Sequence, residues 1–354
     1  MLSVLLPVLV GAGGWATGDT VRIAKGKEVY AQACALCHGQ DGRGNPEWES
    51  QVRPIEFSDC GTTAEPSDLW ESIVRSGGKA AGLHSVMPAF GEAYADDEIG
   101  AVVAYLRTFC AEADRYPPGD LNFRRPLKTG KAFPEQEVVL RATHKPRRGE
   151  KETELEAVYE NRIGARFQYE LVLPLRAQGG DGRGIGEVEI ETKQVLAFSH
   201  RSLSIFSAGL GLVLPTGSES KGLGARTAFV SPFAAFGKGF ARGRTFFQAQ
   251  VGAELPTDRD KANPELKYAA ALSHAFGMPR RAFVPALELT GTYDTKTKIH
   301  DTSAWVEVSK PLNKLGHVIA SVGAQIPIRP RSDTWRLEAY VLWDFGDGPL
   351  WIGW

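Results

Sequence analysis

The chain has 354 residues, 43% of them hydrophobic and 23% charged, with a formal net charge of −1. It is too apolar for a disordered chain and too neutral for a nucleic-acid binder, and its length suits two domains better than one. The neutrality conceals a division: residues 17–118 carry 9 Lys+Arg against 16 Asp+Glu, a net of −7, and the rest carries 32 against 26, a net of +6.

Met1 to Val10 is almost wholly apolar, the length of a signal h-region but too short to span a bilayer. Small residues at Gly14 and Ala16 fit cleavage after Ala16, so residues 1–16 are expected to be a signal peptide, although no basic residue precedes the apolar run. Ile23, Gly26, Val29, Tyr30 and Ala33 then recur at three- and four-residue spacing, one apolar stripe of a helix. Gly26 beside Tyr30 invites another helix to cross closely.

That helix leads into Cys34-Ala35-Leu36-Cys37-His38, a C-x-x-C-H motif. Two thiols on one helical turn can each add to a haem vinyl group, and the following His ligates the iron from below. A zinc site needs two further ligands at matched spacing, and a thioredoxin motif should follow a buried strand. Neither context is present. One covalent haem c is therefore expected, with Cys34, Cys37 and His38 holding it. Haem c belongs outside the cytoplasm, and there Cys60 and Cys110 are expected to pair, the alternative being two separate buried thiols.

A short helix is predicted from Ser67 through Arg75, capped by Ser67 and stopped at Gly77-Gly78. Another runs from Asp96, its acidic start suiting a helix N-terminus, to Cys110. Between them lies Met87-Pro88-Ala89-Phe90. The chain has three methionines, Met1, Met87 and Met278, and Met87 is placed to be the sixth iron ligand, giving metal ligands His38 and Met87. His84 is the rival ligand, and a core methionine is the plainer reading. Trp48, Phe57, Trp70 and Phe90 are candidate haem packers.

Residues 17–118 resemble a class I c-type cytochrome, on Gly26-Lys27-Glu28-Val29-Tyr30, on CALCHG with Asp41-Gly42-Arg43-Gly44-Asn45, and on MPAF before a closing helix. The resemblance implies a small all-α domain that transfers electrons. It also implies a role for Pro54, whose carbonyl would accept the Nδ1–H of His38 and orient the ring. Phe57 to Cys60 with Thr108-Phe109-Cys110 resembles a subgroup with an extra cysteine pair.

Tyr116-Pro117-Pro118-Gly119 ends helical possibility, and residues 119–136 read as a Pro-rich linker. Leu121, Phe123, Leu127 and Phe133 predict that it lies along one of the domains. Arg124, Arg125, Lys128 and Lys131 read as a solvated basic run, or as partners for the acidic cytochrome surface or haem propionates.

From Glu137 to Trp354 the period changes from 3.6 to 2. In 334–345 the odd positions are Trp335, Leu337, Ala339, Val341, Trp343 and Phe345, against Arg336, Glu338 and Asp344 among the even ones. Similar alternation recurs in 165–175, 184–199, 203–214, 241–255, 264–276, 282–294, 301–310 and 318–326. About twelve segments of about ten residues fit tilted membrane strands. Glu187, Glu189, Glu191 and Lys193 share one strand face opposite Val188 and Ile190, which suits a polar lumen better than the dry core of a soluble barrel. Phe276, Tyr293, Trp343 and Phe345 sit at segment ends, as at a bilayer interface.

Gly184 to Glu189 and Leu212 to Gly217 resemble the outer-membrane channel family linked to meta-cleavage phenol pathways. The fold expected is thus a small all-α cytochrome followed by an antiparallel transmembrane barrel of roughly twelve strands. The function expected is an outer-membrane-anchored periplasmic monohaem cytochrome, not an enzyme, passing single electrons to or from a redox protein in the periplasm or outer membrane. The alternative is a transport channel for small molecules, aromatic ones among them, with the cytochrome as sensor or gate.

Overall fold

The structure is a computed structural model that describes residues 17–48, 52–81, 83–146, 151–177, 182–277, 281–313, 316–329 and 335–345. The signal-peptide reading at 1–16 lies outside them. The N-terminal helices are α1 (Thr17–Ala33), α2 (Ala35–His38), α3 (Ser67–Ala81) and α4 (Asp96–Leu106). None of the described helices is long and apolar enough to cross a membrane.

Helices α1 and α4 cross at Gly26, where an added Cβ would stand 2.0 Å from the Ala101 carbonyl oxygen and 2.9 Å from Tyr105 Cβ. Val29, Tyr30, Ile99, Val102, Val103 and Leu106 close around that crossing as the core, with Trp70 and Val74 from α3. Helix α3 breaks at Gly77, whose φ of 74° is open to glycine and strained for other residues. Its start differs from the expected cap. Ser67 is the first helical residue, and its hydroxyl donates to Asp120 Oδ2 at 2.8 Å instead of capping its own helix. Cys60 and Cys110 are joined in a disulfide with Cα atoms 5.0 Å apart.

The second part is one antiparallel sheet closed on itself. Its strands are β1 (Glu137–Pro146), β2 (Lys151–Ile163), β3 (Phe167–Ala177), β4 (Arg183–Ile185), β5 (Glu189–Ser199), β6 (Ser204–Val213), β7 (Phe229–Phe240), β8 (Thr245–Pro256), β9 (Glu265–His274), β10 (Val284–Asp294), β11 (His300–Pro311), β12 (Val318–Arg329) and β13 (Leu337–Asp344). Neighbouring strands pair around the ring, and β1 pairs with both β2 and β13, which closes it. The short β4 shares β3 with β5, leaving twelve strands around the barrel. The alternating segments picked out in the sequence leave out β1, β2 and β7; in β7, Pro232 and two luminal glycines, Gly237 and Gly239, weaken the contrast between the faces.

The apolar positions face outward. Leu287 (62% exposed), Val306 and Val322 stand on the outer surface, while Glu288 (3%), Glu307 and Ser321 face in. A closed barrel with an apolar exterior and a polar interior is the arrangement that satisfies every backbone group in hydrocarbon, and it places the protein in an outer membrane. Turns 164–166, 200–203 and 241–244 at the cytochrome end are short; the connection 214–228 at the other end is long.

Residues 119–136 are neither solvated nor free. They enter the lumen from the cytochrome end, turn, and return to begin β1, forming an internal strap. Leu121, Phe123, Leu127, Ala132 and Phe133 are all at most 5% exposed. Phe123 stacks on Phe246 (5.4 Å between centroids, 10°) and fills the space left by Gly237 and Gly239. The basic residues predicted to be a solvated run sit inside instead. Arg125 pairs with Glu137 at 2.7 Å and with Glu160, Lys128 with Glu338 at 2.8 Å, and Lys131 with Glu135. The reason is luminal: the wall presents carboxylates that need counter-charges once out of water.

Candidate haem site and the lumen strap

The C-x-x-C-H turn continues α1 almost without interruption, since the amide of Cys34 donates to the Tyr30 carbonyl at 2.9 Å and that of His38 to Cys34 at 2.9 Å. A helix end leaves carbonyls without partners, and here the following loop supplies them. Asn45 Nδ2 donates to the Leu36 carbonyl (2.8 Å), the Asn45 amide to Cys37 (3.0 Å) and the Gly44 amide to His38 (2.8 Å). Tyr30 donates its hydroxyl to the Gly39 carbonyl at 2.6 Å. The loop thereby fixes the two thiols and the imidazole on one rigid turn.

The Met87 segment is docked just as firmly. The Gly78 amide donates to the Met87 carbonyl (3.0 Å), and the Phe90 and Gly91 amides to the Val74 and Arg75 carbonyls (3.0 Å each). A Cβ at Gly77 would lie 2.9 Å from the Ala89 nitrogen, so this approach needs glycine. His84 is exposed and its Nδ1 accepts from the Val86 amide at 3.2 Å.

These two segments face one cavity of about 400 Å³. Cys34, Cys37, His38 and Met87 all line it, as do Pro54, His84 and the four aromatic packers Trp48, Phe57, Trp70 and Phe90. Phe57 stacks on the His38 ring at 4.8 Å. Burial lowers the His38 pKa, opposed by the backbone of Ile55, while burial pushes the Cys34 thiol up to about 11 and the Cys37 thiol upward as well. Both cysteines are free thiols. His38 Nδ1 is buried and makes no hydrogen bond of normal geometry, to the Pro54 carbonyl or any other group, although the Ile55 backbone lies close enough to act on the ring. A neutral imidazole, two unoxidised thiols and a thioether around an apolar hollow are a donor set that fits a haem. Arg53 also lines the cavity, a basic residue that sequence reasoning did not single out.

A polar relay ties this pocket to the barrel. The Arg107 guanidinium lies 5.2 Å over the Trp70 ring, donates to the carbonyls of Thr63 (3.0 Å) and Glu65 (2.7 Å), and pairs with Asp120 at 3.5 Å. Asp120 also meets His200, in the β5–β6 turn, at 3.1 Å. Burial raises the Asp120 pKa, but His200, Arg107 and Ser67 together outweigh it and hold the carboxyl below its usual range. Arg166 in the β2–β3 turn donates to the carbonyls of Arg115 (2.8 Å) and Asp114 (3.2 Å).

Within the lumen, wall side chains bond the strap's backbone. Glu307 accepts from the Leu127 amide (2.8 Å), Glu288 from Thr129 (2.7 Å) and Gln250 from Gly130 (3.0 Å). Gln248 donates to the Arg124 carbonyl (2.8 Å), Tyr340 to Arg125 (2.6 Å) and Lys193 to Lys131 (2.9 Å). Buried backbone outside a sheet is tolerable only with such partners. No local sequence signal announces them, because they come from strands more than a hundred residues away in most cases.

Residues 21–106 match the family described as cytochrome c oxidase, cbb3-type, subunit III. The cbb3-type cytochrome c oxidase subunit FixP of Azorhizobium caulinodans is 33% identical over 103 residues, which are 27% of this chain and 30% of that protein. The chain thus covers under a third of the curated relative it matches. Among solved structures, an outer membrane channel from Pseudomonas putida F1 is 15% identical, covering 63% of this chain and all of its own, with a TM-score of 0.47. The NanC porin is 8% identical, covering 58% and 98%, with a TM-score of 0.42. The closure of the barrel rests on its own strand pairing. The chain therefore joins a cytochrome c domain to an outer-membrane type of barrel. More particularly, residues 21–106 resemble cbb3 oxidase subunit III, and a closed twelve-strand barrel follows them.

Proposed function

We propose that this protein is a monohaem c-type cytochrome held at the periplasmic face of an outer membrane, where it passes single electrons to or from a protein partner. The observation that carries the reading is the convergence of Cys34, Cys37, His38 and Met87 on one apolar cavity. Haem, when bound, supplies a one-electron iron couple. The chain's own residues do the rest. Cys34 and Cys37 would tether the group, each by adding its S–H across a vinyl double bond with nothing released. His38 and Met87, which line the same cavity, would be the side chains that hold the iron. Phe57, Trp70 and Phe90 keep water out, which limits reorganisation when the charge changes.

The net charge of −7 over residues 17–118 favours a basic partner by electrostatic steering. Both ends of a barrel with short turns on one side lie in the periplasm, which supports the cytochrome's placement there. The strap favours an anchor over an open channel, since it fills the cytochrome half of the lumen.

The test uses the purified full-length protein. Haem should stay with the chain on a denaturing gel, one per chain, and be lost from the Cys34→Ala, Cys37→Ala double variant. The reduced protein should resist carbon monoxide and give up its electron to a basic c-type cytochrome in a salt-sensitive manner. Prompt carbon monoxide binding or turnover of peroxide would sink the carrier reading.

A further inference from the structure

On the side of the strap away from the cytochrome, the lumen keeps a second cavity of about 520 Å³. That is within the usual size of a small-molecule site. Lys128 at the strap's tip forms part of its floor, so the cavity is blind toward the cytochrome, and it extends to Thr292 and Asp301 beside the outer β10–β11 turn.

Its charges are unbalanced. Lys128 is engaged by Glu338, and Lys267 by Glu254. Glu189, Glu191 and Asp301 line the cavity with no ion pair among the described residues, and Arg336 is the one unengaged cation facing them. Acceptors are also left over. Gln325 is 7% exposed, and its Nε2 donates to Ser303 Oγ at 2.7 Å, which fixes the amide and leaves Oε1 buried with no donor. Asp301 Oδ1 is likewise buried and accepts nothing. Buried acceptors are rarely left without donors.

The walls are aromatic. Tyr268 lies flat over Gly291, where a Cβ would stand 2.3 Å from the ring, and its hydroxyl is held by His300 at 3.0 Å. Lys128 Nζ already sits 5.3 Å from the Trp305 centroid, so this ring receives an ammonium. Spare carboxylates, orphaned acceptors and ring faces together suit a ligand with a positive, hydrogen-bond-donating head on an apolar body.

We propose that this blind vestibule binds a small organic cation, reached from the side of the membrane opposite the cytochrome. The inference is independent of the electron-transfer reading. The test is isothermal titration of the full-length holoprotein in a non-ionic detergent with benzylammonium, and with benzyl alcohol and benzoate as neutral and anionic probes of the same shape. Benzylammonium should bind once per chain, with the other two weaker by about tenfold or more. Glu189→Gln with Glu191→Gln should weaken benzylammonium by about tenfold, and Gln325→Leu should weaken it too. Heat-modifiable gel migration checks that each barrel is folded, and Asp301→Asn stands in for any variant that is not. No binding at millimolar benzylammonium would overturn the site, as would equal binding of all three probes or indifference to every variant.

Discussion

Met87 and His84 lie three residues apart and line the same cavity, yet they are not equivalent. The Met87 carbonyl is pinned to α3, whereas the His84 ring is exposed and already accepts a hydrogen bond from Val86. Met87→Ala should therefore abolish the far-red charge-transfer band of the ferric protein and lower its reduction potential, while His84→Ala leaves both in place. A visible spectrum and a redox titration check this, and the reverse pattern would assign the iron to His84. Gly26→Ala tests the helix crossing. Its Cβ meets backbone that cannot swing away, so a loss of about 1–3 kcal/mol is expected in a thermal melt followed in the Soret band. These residues were legible in the sequence because their partners are local or their spacing is characteristic. Arg53 was not, because a single exposed arginine carries no pattern.

At the scale of elements, the disulfide and the domain junction make separable predictions. Cys60–Cys110 closes a separation of 50 residues, so Cys60→Ser with Cys110→Ser should cost about 4 kcal/mol in the chain-entropy account, read as a lowered melting temperature of the cytochrome part. Asp120 links α3, Arg107 and the His200 turn, with Asp68 and Glu71 as its acidic neighbours. Its folded pKa is depressed, so its stabilisation is present above the ordinary aspartate range and is lost as pH falls through the folded value. Asp120→Asn should be less stable than the wild type at pH 7, with the gap closing in acid. A gap that persists unchanged at low pH would mean that shape, not charge, makes the junction. The strands were legible through alternation, because a wall between lipid and a polar lumen imposes a period of 2 on nearly every strand. The strap was not. Its Arg and Lys residues look like solvated charge until the carboxylates of distant strands are assembled around them.

For the whole molecule, strand register makes the lumen's character explicit. Asp344 pairs with Glu137, Glu137 with Glu160, Glu160 with Glu170, and Glu170 with Glu191, so five carboxylates run in one row across β13, β1, β2, β3 and β5. Like charges opposite one another on neighbouring strands are unfavourable, and the wall alone has little to offset them. Arg125 on the strap reaches two of the five. The strap is thus both a seal and a counter-charge, and removing it should expose a lumen that is open and strongly acidic. In a planar bilayer the full-length protein should be nearly silent. The same protein with residues 122–134 replaced by a short Gly-Ser bridge should conduct. Its current should favour cations over anions, because rings of carboxylates select by charge. Replacing Glu160, Glu170 and Glu191 by Gln in the strap-excised protein should remove that preference while leaving the pore open. Equal conductance with and without the strap would show that the lumen was never sealed. Anion preference after excision would mean that the carboxylate row does not set the field along the pore.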